Sequence, residues 1–298
     1  MKFKRNVLLK NYTTFKIGGP AKYFYIAKTK TELIEAIKKA KKIKLPFFIL
    51  GGGSNLLVSD KGFNGLVIKF GQPLSSYVSK GLEWAVGIPG TVQGAVCSNA
   101  GAFKKSMKDV IESAEVFDTE TGKVKIFKNK DCQFSYRDSI FRKKKNLIIL
   151  STTLQFKKGN KKVIKNKIKK NLEQRKQTQP LNFPSAGSIF KNLPAFPAGF
   201  LVEEDKSSSL PFAVARVFRG EEDKSSSLPF AVARVIEKCG LKGKKIGKVK
   251  ISEKHANFIL NLGKGKAKDV IKLIKLIKKK VKNKFKINLE EEIQFLGF

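Results

Sequence analysis

Two glycine-rich loops are where this sequence most plainly offers chemistry. The first, Gly51-Gly52-Gly53-Ser54-Asn55-Leu56, follows the apolar run of residues 46–50 (PFFIL). Successive glycines let backbone N–H groups converge into a nest that holds a phosphate without side-chain charge. Ser54 and Asn55 add side-chain donors. The second loop is residues 87–102, GIPGTVQGAVCSNAGA. There Gly87, Gly90, Gly94 and Gly101 permit close backbone approach, and Thr91 and Asn99 supply polar groups. Neither loop is a Walker A sequence or a GxGxxG fingerprint. An ordinary glycine turn accounts for either loop alone. The two together suit a ligand with a diphosphate and two ends, such as a dinucleotide.

Other reactive side chains are few. His255 is the one histidine, so imidazole acid–base work rests on it or does not occur. In HANFILN it reads as structural. Cys97, Cys132 and Cys239 are odd in number and far apart, without a CxxC pair. A zinc site and a disulfide framework are both disfavoured, and Cys97 reads as packing.

The elements that must position these loops follow from periodicity. Residues 22–27 (KYFYIA) read as a strand, and Thr29 with Glu32 as a capping box. Leu33, Ile34, Ile37, Ala40 and Ile43 then recur at helical spacing. Residues 46–50 and 65–70 complete an α/β unit whose glycine loop lies at a strand end. Further strands are predicted at 83–88 (EWAVGI), 113–119, 123–127 and 146–156. A lysine-rich helix is predicted over 160–180, and a second carries Val270, Leu273, Ile274, Ile277 and Val281 as its apolar stripe.

Composition bounds the class. The chain has 298 residues, 41% hydrophobic and 29% charged, values of a globular protein. Its net charge is +38, which alone suggests a polyanion-binding protein. Only seven of the 62 basic residues are arginine, however, and the lysines are spread along the chain. Nucleic-acid readers favour arginine, so a lysine bias on solvated faces is preferred to a dedicated polyanion surface. Absence of a signal-length apolar stretch and of a membrane-length run predicts a cytoplasmic location without membrane insertion.

One segment breaks the pattern. EEDKSSSLPFAVARV occurs at 203–217 and again, identically, at 221–235. Two identical copies do not make a solenoid. Each reads as a polar loop followed by a strand-like LPFAVARV, and the pair reads as a hairpin or an unstructured insertion.

Taken in order, eight motifs carry a resemblance: NYTTFKIGGPA (11–21), ILGGGSNLLVSDKGFNGLVIK (49–69), the 87–102 loop, FSYRDSIF (134–141), PSAGSIFKN (184–192), CGLKGKKIG (239–247), SEKHANFILN (252–261) and LEEEI (289–293). On these the chain resembles the UDP-N-acetylenolpyruvoylglucosamine reductase (MurB) flavoenzymes, in their shorter class, over nearly all of its length except about 202–235. Gln93 stands where the family commonly has glycine.

The resemblance implies an α+β fold of three domains. Residues 1–70 and 71–180 would form a vanillyl-alcohol-oxidase-type FAD module, and 181–298 a substrate-binding domain, with 289–298 a candidate to return to the first. It implies FAD on Gly52, Gly53, Ser54, Asn55, Leu56, Gly90, Thr91, Gly94, Asn99 and Gly101. NADPH is the implied cosubstrate, and UDP-N-acetylglucosamine enolpyruvate the substrate of a monomeric enzyme that binds no nucleic acid.

The implied reaction delivers a hydride to an alkene while negative charge develops toward a carboxylate, so it needs a cation, a polar partner and a proton donor. Arg137 matches the carboxylate clamp, Ser188 the proton donor and Glu292 the catalytic carboxylate; Lys191 and Asn192 match substrate-binding residues. Each also has a plainer reading: an interface ion pair for Arg137, a cap or turn for Ser188, a solvated face for the Glu triplet. The alternation of Leu289, Ile293 and Phe295 suggests a strand end without selecting which glutamate faces inward. Two other readings stay open, a flavin-binding scaffold impaired by the insertion and a basic polyanion-binding protein.

Overall fold

The structure, a computed structural model, describes residues 1–157, 159–193 and 231–298. The first part is a four-stranded sheet. It contains β1 (Lys4–Leu8), β2 (Pro20–Ile26), β3 (Phe47–Leu50) and β5 (Phe63–Lys69), in the order β1-β2-β5-β3. β2, β5 and β3 run parallel, and β4 (Leu56–Val58) lies outside this sheet. Helix α1 (Lys30–Lys42) packs Leu33, Ala36, Ile37 and Ala40 onto it. The Thr29 side chain accepts from the backbone N of Glu32, whose carboxylate accepts from Lys28 N rather than from Thr29. Ile43 departs from the predicted stripe: it is the C-cap and is exposed. The glycine loop leaves the carboxyl end of β3, where parallel α/β sheets hold their ligands.

The second part is built on an antiparallel sheet in the order β10-β8-β9, with β8 (Ile111–Asp118), β9 (Val124–Lys128) and β10 (Leu147–Leu154). A two-residue pair, β6 (Gly101–Ala102) and β7 (Lys105–Ser106), and two short helices, α2 (Val92–Cys97) and α3 (Ile140–Lys143), precede or flank it. Helix α4 (Lys161–Thr178) follows, ending before Pro180 as predicted. The predicted strand at 83–88 is instead a 3-10 turn, Glu83–Ala85. Gly81 and Gly87 bracket it with positive φ, and Leu82, Trp84 and Ala85 turn inward together into this part's core.

The third part contains α5 (Val232–Lys238), the antiparallel sheet β11 (Lys245–Ile246), β12 (Val249–Ile251) and β13 (Ile259–Asn261), and the long helix α6 (Ala267–Phe285). Val270, Leu273, Ile274, Ile277 and Val281 are buried as the periodicity predicts. The chain then returns: β14 (Gln294–Leu296) pairs in parallel with β4, Gln294 opposite Leu56 and Leu296 opposite Val58. Phe15, Ile17 and Leu57 share one core with Ile189, Phe190, α5 and α6. Asp60 adds a polar fastening, since its carboxylate oxygens accept from Ala267 N at 2.8 Å and Lys268 N at 3.0 Å. Such a cap contributes about 1 kcal/mol and complements the helix dipole. The LEEEI strand end begins later than predicted, at Gln294, and Phe295 is exposed rather than buried.

The strand-like reading of the second repeat is overturned at its end. Val232–Val235 form the first turn of α5, with Val232, Ala233, Val235 and Ile236 buried. That four-residue segment supplies a helical apolar face continuous with IEK, so burial against α6 decides for helix over β-propensity. Val232 and Val235 belong to the described core. The rest of both copies, and the predicted hairpin, lie outside the described residues.

Deleting residues 203–220 removes one repeat period and leaves Ala231–Val235 joined to Ile236 in unchanged sequence. The thermal midpoint of that variant is expected within a few degrees of the parent by calorimetry. A collapse of the transition would mean that the first copy supports the described core.

Candidate active site

The two glycine loops form one cradle. A Cβ on Gly52 would meet the Cα of Gly90 at 2.4 Å, and one on Gly51 would meet Thr91 Oγ1 at 2.6 Å. Only glycine lets the loops touch backbone to backbone there. Gly53 has φ +62°, and a side chain on it would collide with the carbonyl of Tyr12. Thr91 caps α2 by accepting from Gly94 N. The cradle forms one wall of a cavity of about 1440 Å³, larger than the roughly 300–1,000 Å³ of a single small-ligand site. There is room for a dinucleotide and a second molecule.

Charge in this cavity is one-sided. Among the described residues Lys16, Lys69, Arg137, Lys145 and Arg175 line it against one carboxylate, Glu292. Arg175 carries a buried Nε with no hydrogen-bond partner among the described residues, and the Arg137 Nε faces Glu292 Oε1 at 3.2 Å without an aligned hydrogen bond. Burial, and then the neighbouring Arg137 charge, pull the Arg175 pKa down. Donors buried without acceptors are costly, and an anionic ligand would satisfy them. The cradle's clearances and these unpaired donors fit a dinucleotide cofactor with a diphosphate.

Glu292 is fixed by its main chain. Its N–H donates to the carbonyl of Ile189 at 2.8 Å. Its carbonyl accepts from Arg142 Nη2 at 2.7 Å and from Asn55 Nδ2 at 3.1 Å. Asn55 also accepts from Gln294 N through its own carbonyl, at 2.9 Å. The glycine loop, α3, the segment after Ser188 and the C-terminal return thus meet at one residue. The three glutamates are sorted by partner: Glu290 pairs with Lys191 at 2.5 Å, Glu291 with Lys278 at 2.9 Å, and Glu292 with Arg137 at 3.2 Å. Only Glu292 lines the cavity. Burial pushes its carboxyl above the usual range, partly opposed by Arg137, Arg142 and Lys191. Arg137 reaches it from a left-handed backbone (φ +55°) in a turn closed by paired bonds between Ser135 and Asp138. That conformation costs a non-glycine residue about 1–2 kcal/mol, and such strain gathers at functional sites.

Ser188 is on the same cavity wall, bridged to Phe258. The following residues are held rigidly. Ile189 N donates to the Asn257 carbonyl, and the buried Asn257 amide both accepts from Phe190 N and donates to Phe190 O.

The cavity wall includes Arg137, Ser188, Glu292, Gly52, Gly53, Ser54, Asn55, Leu56, Gly90, Thr91, Gly94 and Gly101. Three expected residues are placed behind it. Asn99 spends its amide on Ser135 O and Lys108 N; Lys191 is paired with Glu290; Asn192 accepts from Val232 N. Gln93 ties the Gln72 turn to β10. Cys97 lines the wall with its thiol pKa pushed up by burial, an inert form. His255 stacks edge-on against Phe258 with a pKa lowered by burial, which suits the structural reading. Sequence reasoning missed Arg142, Arg175, Lys145 and Phe183. The rarity of arginine was the signal available for the first two.

Comparison with known proteins agrees with this geometry. A family model described as the C-terminal domain of UDP-N-acetylenolpyruvoylglucosamine reductase matches residues 179–296. A UDP-N-acetylenolpyruvoylglucosamine reductase of Caldanaerobacter subterraneus subsp. tengcongensis is 38% identical, over 98% of this chain and 93% of that protein. One of Caldicellulosiruptor bescii is 39% identical, over 100% and 91%. The crystal structure of the MurB reductase of Thermus caldophilus superposes with a TM-score of 0.75 at 30% identity, covering 100% of both chains. With relatives this similar along nearly its whole length, the chain belongs to the UDP-N-acetylenolpyruvoylglucosamine reductase family.

Proposed function

We infer that the chain reduces UDP-N-acetylglucosamine enolpyruvate to UDP-N-acetylmuramate, a step in peptidoglycan precursor synthesis. The observation that carries this reading is the opening of the glycine cradle and of Arg137, Ser188 and Glu292 into one cavity. FAD, when bound, would supply the hydride chemistry between NADPH and the terminal alkene carbon of the enolpyruvyl group. Gly52, Gly53, Ser54 and the Gly90–Thr91 turn would hold its diphosphate through backbone N–H groups. Gly94, Gly101 and Leu56 shape the surrounding wall. The fold is read as a vanillyl-alcohol-oxidase-type FAD module, 1–70 and 71–180, with a substrate domain at 181–298. The return of β14 to β4 supports assigning the C-terminal segment to the first subdomain. Three free thiols suit the cytoplasm, and no helix among the described residues is long and apolar enough to cross a membrane.

Arg137 meets the substrate carboxylate, where a guanidinium fork gives two parallel bonds. Its Nε faces Glu292 Oε1 at 3.2 Å without an aligned hydrogen bond, so an incoming carboxylate gains a partner without breaking one. Once Arg137 turns to the substrate, Glu292 loses compensation for its burial and holds a proton more firmly. A protonated Glu292 then donates a hydrogen bond toward the charge that develops on the carboxylate. Ser188 Oγ gives its proton to the carbon beside the ether oxygen and recovers one from water. A serine hydroxyl is a weak acid, so it acts only against the strongly basic centre that hydride addition creates.

Replacing Ser188 with Ala should leave flavin reduction by NADPH within about twofold and slow reoxidation by the enolpyruvyl substrate about 10²–10⁴-fold. Stopped-flow absorbance separates the two steps. Equal reoxidation rates would remove Ser188 from the proton-donor role.

The raised Glu292 pKa sets a second expectation. The protonated form is the active one, so reoxidation should decline as pH rises through that pKa, above the ordinary carboxylate range. Glu292→Gln should be slow and without that decline. A parent profile identical in shape to that of Glu292→Gln would refute the assignment.

A further inference from the structure

We propose that Arg142 is a positioning residue that holds Arg137 and Glu292 at working separation by bridging their main-chain carbonyls. The proposal rests on the roles assigned to Arg137 and Glu292 above. Arg142 does not line the cavity. It is half-buried on α3, directly after the buried Ile140 and Phe141, which fix the helix in its core. From there Nη1 donates to the Arg137 carbonyl at 3.3 Å and Nη2 to the Glu292 carbonyl at 2.7 Å. The two residues joined in this way are 155 positions apart in sequence and face each other across the site.

Three observations favour positioning over incidental surface contact. First, one guanidinium bonds two converging segments: Arg137 is held in the left-handed region, and Glu292 lies on an irregular stretch between the Phe190–Glu291 bridge and β14. Neither segment has a regular ladder to fix it there. Second, the guanidinium fork presents two separate nitrogens in a rigid plane, whereas a lysine ammonium is one point on a flexible stem. Third, the chain uses lysine wherever a generic cation serves, with only seven arginines among 62 basic residues. Three of the seven, Arg137, Arg142 and Arg175, are at or directly behind this cavity. An arginine kept there, in so lysine-biased a chain, marks a need for its geometry.

The test compares Arg142→Lys, Arg142→Met and Glu292→Gln as FAD-loaded enzymes by stopped-flow absorbance, with thermal midpoints and flavin content measured alongside. Arg142→Lys keeps the charge and loses the fork. The expected result is retained flavin, NADPH reduction within about twofold of the parent, and substrate reoxidation slowed about 10–10²-fold in both Arg142 variants, the loss expected for displacement on the order of 1 Å. Reoxidation at the parental rate in Arg142→Lys would overturn the proposal, because charge alone would then suffice. Equal slowing of both half-reactions with loss of flavin would overturn it in favour of a general structural role. A parental rate in Glu292→Gln would overturn the reading of Glu292 itself, and would be distinguished by appearing whatever the Arg142 variants do.

Discussion

The main-chain carbonyl of Glu292 accepts from both Asn55 and Arg142, and the rest of the site depends on that junction. Asn55 ends the loop whose glycines make the cradle. Arg142 follows the turn that presents Arg137. The Glu292 N–H reaches Ile189, one residue beyond Ser188. Both bonds end on a main-chain carbonyl, so they hold whatever rotamer the Glu292 side chain takes and can set distances between groups that come from remote parts of the chain. The return of β14 onto β4 makes this possible, because it brings the last residues of the chain against the first glycine loop.

Placing those groups together is electrostatically uneven. Among the described residues five cations and one carboxylate line the cavity, the Arg175 Nε lacks an acceptor, and the Arg137 Nε has no aligned one. Burial lowers the Arg175 pKa and raises that of Glu292. A fold selected for stability alone would not bury these donors unsatisfied. A site that receives a diphosphate cofactor, a dinucleotide and a nucleotide-sugar carboxylate completes them on binding. The net charge of +38 is better understood in that light. It adds a long-range attraction for small anions that weakens with salt.

Much of this was legible in the sequence, for identifiable reasons. Glycine runs announce close backbone approach, so the loops at 51–56 and 87–102 were readable, although nothing local said that Gly52 would touch Gly90. Apolar stripes predicted α1 and α6 because burial there follows one simple period. The strand expected at 83–88 failed because two positive-φ glycines turned Trp84 into the core. The LEEEI alternation could not select a glutamate; partners from Lys191, Lys278 and Arg137, all distant in sequence, made that choice. Val232–Val235 read as strand because β-branched residues dominate a short window, while contact with α6 made them helix. Asn55, expected on the cofactor and present on the cavity wall, also donates to the Glu292 carbonyl, a contact visible only when residue 292 is beside it.

That contact is the account's central claim, and Asn55→Ala tests it most directly. The measurement is the rate at which the reduced, FAD-saturated variant is reoxidised by the enolpyruvyl substrate. If the Asn55 amide holds Glu292 in place, reoxidation slows by at least about tenfold, as expected for a small displacement of a reacting group, even with the cofactor site full. Reoxidation at the parental rate would mean that the cradle and the reacting carboxylate are positioned independently, and would contradict the account.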